Sequence, residues 1–209
     1  MRAQLPLSVP GKIVCIGRNY AEHAKELNNP IPTSPLLFIK TANAVVPFEQ
    51  PIRIPRAFGS CHHELEIALL MGEEGVVGVG LALDLTLRDL QDQLKAQGHP
   101  WEKAKAFDGA CPLSNFVVLD DALKDQLGNL QLKLVRNGNL QQQGNSAQML
   151  TPVPALLEEI AKYFTLLPGD VVLTGTPAGV GPLVSGDQLE AELSTASGEL
   201  LLSLKTSVV

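Results

Sequence analysis

The chain has 209 residues, 45% hydrophobic and 18% charged, ordinary proportions for a globular domain able to bury a sizeable core. Its net charge of −6, from 16 basic and 22 acidic residues with no run of Lys or Arg, disfavours a nucleic-acid or anionic-membrane surface. The opening MRAQLPLSVPGK lacks a signal-length apolar stretch, and no window approaches the roughly 18 apolar residues of a membrane span. Cys15, Cys61 and Cys111 lie far apart, fitting neither a disulfide framework nor a zinc knuckle, so the expected setting is a reducing cytoplasm.

In chain order, Lys12–Ile16 reads as a short strand ending at Gly17, followed by a helix over about Tyr20–Leu27. Leu36–Ile39, Glu64–Leu70 and Val79–Leu83 read as strands. A helix over Leu87–Gln97 opens on the capping-box pattern Thr86-Leu87-Arg88-Asp89 and stops at Gly98 and Pro100. Its apolar stripe is Leu87, Leu90 and Leu94, which turns Arg88, Gln91 and Lys95 elsewhere. Strands follow at Phe116–Leu119 and Gln131–Val135, the latter ending at an Asn137-Gly138 turn. A third helix spans about Pro152–Phe164, with Thr151 as N-cap, Pro152 at the first helical position, and Leu156, Ile160 and Phe164 inward. Val171–Leu173 and Leu200–Leu204 complete the strands, with turns at Pro168-Gly169-Asp170 and Ser185-Gly186-Asp187. Without βαβ alternation, the pattern predicts one α+β domain over residues 1–209, rich in β-structure with a few short helices.

The segment Cys61-His62-His63-Glu64-Leu65-Glu66-Ile67-Ala68-Leu69-Leu70 carries the most chemistry. On a strand, Leu65, Ile67 and Leu69 share one face, and Glu64 and Glu66 sit side by side on the other. Two neighbouring carboxylates repel, the more so when buried, and solvent, a basic side chain or a cation must compensate. A third acid, Asp84, ends the apolar strand Val79–Leu83 just where a pocket would lie. Three carboxylates without a softer ligand suit a hard ion, Mg²⁺ first, then Mn²⁺ or Ca²⁺. Of the two adjacent histidines, His63 falls on the face opposite Glu64, and either can serve as a donor behind the acids.

Six stretches in order resemble the fumarylacetoacetate hydrolase superfamily, in its short acylpyruvase-like branch. They are Ile16–His23 (IGRNYAEH), Leu37–Lys40 (LFIK), His62–Glu66 (HHELE), Ala82–Asp89 (ALDLTLRD), Pro100–Lys105 (PWEKAK) and Leu173–Gly181 (LTGTPAGVG). The resemblance implies a fumarylacetoacetase-like mixed-sheet sandwich or roll, and Glu64, Glu66 and Asp84 as metal ligands. It also implies that His23 and Glu26, three apart on one helix face, activate water. Lys105 resembles a substrate-facing lysine with Trp101 packing ahead of it. Arg88, able to clamp a carboxylate, and Gln91 resemble residues that reach the pocket. The loop after Leu173 lacks the Lys-Ser/Thr of a phosphate loop and reads as a cradle for substrate oxygens, with Gly175 and Thr176 as donors. Tyr20 and Lys40 are further pocket candidates. One departure is the short connection between the Glu and Asp strands, only Gly72–Gly78.

The resemblance implies Mg²⁺-dependent hydrolysis of the C–C bond of a 2,4-dioxo acid, releasing pyruvate. Oxaloacetate decarboxylation and 2-oxo acid tautomerisation rest on the same enolate chemistry, and a Ca²⁺-binding domain without turnover is the non-enzymatic alternative. A homodimer is expected, as is a lid formed by the first helix within residues 1–35.

Overall fold

The computed structural model describes residues 2–209, the Arg56 side chain excepted. Among the described residues the strands form three sheets of nine, four and three strands. The nine-stranded sheet runs, in spatial order, Gln4–Leu5, Phe116–Val118, Gly75–Leu83, Leu65–Gly72, Val171–Leu173, Ile13–Gly17 and Leu36–Lys40, with Val45–Pro47 and Cys111–Leu113 attached beside Gly75–Leu83. Val171–Leu173 lies parallel to Ile13–Gly17 and antiparallel to Leu65–Gly72, so the sheet is mixed.

This sheet is apolar on both faces. Leu65, Ile67, Leu69, Leu81 and Leu83 pack into one core with Leu132, Leu134, Leu189 and Leu193 of the four-stranded sheet, giving a two-layer sandwich. Ala68, Ala82, Cys15, Leu113 and Phe116 form a second core on the opposite face. The alternation that sends Leu65 and Ile67 into the first core sends Glu66 and Ala68 to the second side.

The four-stranded sheet runs Asn139–Asn145, Leu130–Arg136, Gln188–Thr195, Leu200–Ser207. Asn137 and Gly138, both at positive φ (52° and 78°), close its first hairpin in the primed-turn geometry that matches strand twist. Two of these strands, Asn139–Asn145 and Gln188–Thr195, are absent from the sequence reading.

The helices differ from expectation at their starts. Helix α1 is Ala21–Glu26, and α2 is Arg88–Ala96. The capping box of α2 does not form: Thr86 sits in a two-residue strand with its hydroxyl donating to Asp84 O, and Asp89 accepts from Ser60 N at 2.7 Å. Two short helices follow, α3 (Glu102–Lys105) and α4 (Asp121–Lys124). Helix α5 is Val153–Ala161, with Pro152 rather than Thr151 at its N-cap. Thr151 instead hydrogen-bonds Asn19 through its backbone, and Phe164 packs on the core beyond the helix end. The Leu65–Gly72 and Gly75–Leu83 strands pair down to Gly72↔Gly75, so Glu73 and Glu74 alone form the turn that the short connection requires. No described helix is long and apolar enough to cross a membrane. The three cysteines are free and buried; burial pushes Cys61 and Cys111 up to about 12, which leaves them as inert packing groups.

Candidate active site

Strand register builds the acidic centre. Leu65 pairs with Leu83 and Glu66 with Ala82, and Asp84 N donates to Glu64 O at 2.8 Å. Asp84 therefore stands opposite Glu64 and Glu66 one pleat along, all on the face away from the Leu65–Ile67 core. One oxygen from each carboxylate lies within 4.8 Å of the others, and each residue is at most 4% exposed.

Three cations reach these acids, so the basic-side-chain option left open by the sequence is realised for two of them. Lys105 Nζ, at the end of α3, lies 2.8 Å from Glu64 Oε2 and 2.6 Å from Asp84 Oδ2. Arg88, the first residue of α2, pairs with Glu64 Oε1 and donates to Gln91 Oε1 at 2.8 Å. Lys40 Nζ is 2.7 Å from Asp84 Oδ1, as an ion pair outside hydrogen-bond alignment, and donates to the carbonyls of Lys105 and Ala110. Burial disfavours an ionised Glu64, but Lys105 and Arg88 outweigh it and hold that carboxyl well below its usual range. Burial likewise works against the Lys105 ammonium, and Asp84 and Glu64 more than reverse this, raising it.

Glu66 is left over. Among the described residues its one hydrogen-bond partner is the backbone N–H of Gly175, at 2.7 Å. Burial first, then the charges of Asp84 and Glu64, push its carboxyl well above the ordinary range despite Lys105. Either a proton or a divalent cation held by the three carboxylates would neutralise it. The all-carboxylate donor set fits a hard ion such as Mg²⁺ or Mn²⁺.

The loop after Leu173 is stapled to the acid strand. Thr174 Oγ1 donates to Ile67 O, Gly175 N to Glu66, and Thr176 Oγ1 to Leu65 O. Gly175 is at φ 93°, and a Cβ there would lie 2.7 Å from Asn19 Cβ, so only glycine brings this N–H onto Glu66. The Gly175 N–H is thus engaged by Glu66, and the Thr176 hydroxyl by Leu65 O and by Gln142 Nε2 at 2.8 Å.

His23, 5% exposed, projects from α1 into the same cleft, with Nδ1 3.5 Å from Glu26 Oε2. Glu26 is held from behind by Gly179 N at 3.0 and 3.2 Å. Burial first, then Arg88 and Lys105, lower the His23 pKa against the opposing pull of Glu64 and Glu26, favouring a neutral ring. One cleft brings His23, the three acids, Arg88, Gln91, Lys105 and Thr176 together. Tyr20 and Lys40 do not line it. Lys40 is fully buried beneath Asp84, and the Tyr20 hydroxyl is enclosed without a partner among the described residues.

Sequence reading missed Gln142, Asn19, Arg18 and Lys95. Gln142 accepts from Leu65 N, contacts His63 Nδ1 at 3.0 Å and donates to Thr176 and Pro177, which ties the second sheet to the loop. Its signal is faint: one glutamine in a run of three, distinguished only by falling on the inward phase of its strand. Arg18 and Lys95 also line the cleft.

A family model, the fumarylacetoacetate (FAA) hydrolase C-terminal model, matches residues 12–209. The chain belongs to the fumarylacetoacetate hydrolase family. Among curated family members, the oxaloacetate tautomerase YcgM of Escherichia coli (strain K12) is 49% identical over 189 residues, 85% of this chain and 86% of that protein. The mitochondrial oxaloacetate decarboxylase of Dictyostelium discoideum is 41% identical, over 88% of each chain. The fold matches a solved fumarylpyruvate hydrolase from Pseudomonas aeruginosa, in complex with Mn²⁺ and pyruvate, with a TM-score of 0.85 and 29% identity over 100% of this chain and 96% of that one. The β-rich fumarylacetoacetase-like fold expected from the sequence is thereby shown.

Proposed function

We propose that this family member is a divalent-metal-dependent tautomerase that interconverts the keto and enol forms of oxaloacetate or a closely similar short 2-oxo acid. The observation that carries this reading is one cleft holding a buried carboxylate triad, a lysine fixed as ammonium and a buried neutral histidine. The names of similar proteins favour it over the acylpyruvate hydrolysis expected from the resemblance.

Glu64, Glu66 and Asp84 would hold the ion, with Mg²⁺ the proposed native metal, and its presence would polarise the 2-oxo group and neutralise the acids. Arg88 and Gln91, already hydrogen-bonded as a pair, present a guanidinium to the substrate carboxylate. His23 takes a proton from C3, and the C–H electron pair becomes the C2–C3 double bond. Lys105 donates a hydrogen bond to the oxygen where negative charge develops. Its raised proton affinity makes it a stabiliser, so the proton removed by His23 is the one returned to oxygen. Glu26, braced by Gly179, orients the ring. A proton moved at carbon needs no attacking water, and this separates the reaction from hydrolysis.

A second reading, decarboxylation or C–C hydrolysis in the same cleft, is favoured by the His23–Glu26 pair, which has the arrangement of a water-activating base. The resemblance also supports a homodimer, to be checked by analytical ultracentrifugation. His23→Ala should lower the rate of oxaloacetate ketonisation, followed by loss of enol absorbance, about 10²- to 10⁴-fold with the metal retained. An unchanged rate would rule out His23 as the base. Pyruvate release from an acylpyruvate that outpaced ketonisation would transfer the assignment to the second reading.

A further inference from the structure

Arg18 has an uncommon backbone and an unused charge. It sits at φ 59°, in the left-handed region that non-glycine residues seldom adopt. The strain is held in place by its neighbour. Asn19 donates to Thr151 O and Thr174 O, at 3.1 and 2.9 Å, and accepts from Thr151 N at 2.7 Å; its own carbonyl accepts from Leu150 N. Backbone strain so firmly held collects at ligand sites. Among the described residues no side chain or carbonyl hydrogen-bonds or ion-pairs with the Arg18 guanidinium.

Arg18 stands where two hollows meet. It lines the acid cleft together with Ile16 and Gly17, and the same three residues line a second hollow bounded by Pro32–Pro35, Leu150 and Thr151. Lys95 lines the acid cleft as well, with Nζ 5.5 Å from the centroid of the Trp101 ring and only a loose 3.7 Å approach to exposed Asp92. Burial first, then the charges of Arg88, Arg18 and Lys105, lower the Lys95 pKa, with Asp92 alone opposing them. The cleft wall thus carries four cations against three acids, and Arg88 and Lys105 each pair with one or more of those acids while Arg18 and Lys95 pair with none of them. A bound divalent ion would add more positive charge. A monoanionic substrate leaves much of this unbalanced, whereas a dianion with a carboxylate at each end answers it.

We infer that Arg18, assisted by Lys95, binds the distal carboxylate of the substrate and makes the cleft selective for 2-oxo dicarboxylates over 2-oxo monocarboxylates. This rests on the proposed function for the reacting end only. It concerns the far end, which the triad and His23 do not reach by assignment.

Malate and lactate separate the two. Both carry a 2-hydroxy acid head, neither needs to react, and only malate has a second carboxylate. Calorimetry on the Mn²⁺-loaded protein should show malate binding at least about tenfold tighter than lactate, the scale of one charge-assisted contact. Arg18→Gln should abolish that ratio by weakening malate about ten- to a hundredfold while leaving lactate unchanged, and Arg18→Lys should keep part of it. Lys95→Gln, at a half-buried helix position, should reduce the ratio in the same direction and covers the case in which Arg18→Gln fails to fold. Equal wild-type affinity for the two ligands, or an equal loss of both in the variants, would overturn the inference and reduce Arg18 to a shaper of the turn. Because binding is read without turnover, a protein inactive on oxaloacetate yet selective for malate would sink the catalytic reading and leave this one standing.

Discussion

Lys105 is the residue on which the electrostatics of the cleft turn. Its ammonium bridges Glu64 and Asp84 and lines the cleft. Lys105→Met should lower kcat for tautomerisation about 10²- to 10³-fold, with KM changed far less, because the lost hydrogen bond strengthens only as charge develops. Equal loss in kcat and in substrate affinity would point to a merely structural ion pair. The three acids were legible in the sequence because strand alternation places Glu64 and Glu66 on one face regardless of partners. Lys40 was not: on the Leu36–Lys40 strand it pairs with Ile13 and lies beneath Asp84, and only the sheet order places it there. A short motif cannot tell a lysine under a site from one in it.

Elements are held less by local propensity than by distant partners. Helix α1 has six residues, too few to persist alone, and its Glu26 is tied to Gly179 across the cleft. That contact depends on glycine: Gly179 is at φ 100°, and a Cβ there would fall 1.9 Å from Gln141 O. Gly179→Ala should destabilise the protein by about 2 kcal/mol or more and disturb His23, read as a lower thermal midpoint with reduced kcat. A neutral outcome would show the loop to be loose. The capping box at Thr86–Asp89 failed for the same reason of distance, since Ser60 captures the Asp89 carboxylate through both its N–H and its hydroxyl. The Gln188–Thr195 strand carries full alternation, with Leu189, Ala191 and Leu193 inward and Glu190 and Glu192 outward, a legible period although Glu and Ala are poor strand formers. Asn139–Asn145, an edge strand polar on both faces, offers no period to read.

Across the whole molecule, two apolar cores clamp a sheet whose one charged end is the site. Away from that end, Asp170 pins the Pro168–Asp170 turn, accepting from Lys12 N at 3.1 Å and Leu167 N at 2.7 Å and pairing with the Lys12 ammonium. Burial would raise its pKa, but the Leu167 N–H and Lys12 overcome this and lower it below 3.8. The unfolded chain then binds the proton more tightly than the folded one. The stabilisation is full above that value and is lost as pH falls through the depressed folded pKa. Asp170→Asn should therefore cost about 2 kcal/mol at pH 7, measured by urea unfolding, with the gap to wild type closing in strong acid; a pH-independent gap would deny the charge its part. That the acid strand has one core face was legible from Leu65, Ile67 and Leu69, whereas the sandwich and the meeting of α1, α3 and the Gly175 loop at the acids are long-range and were reached only through family resemblance. The central claim is that Glu64, Glu66 and Asp84 together hold one divalent ion, and Mn²⁺ calorimetry tests it most directly. Wild type should bind one Mn²⁺ per chain with proton release from Glu66, and Glu66→Gln should weaken binding at least about a hundredfold; wild-type protein that takes up no Mn²⁺, or a Glu66→Gln variant that binds it equally well, would contradict it.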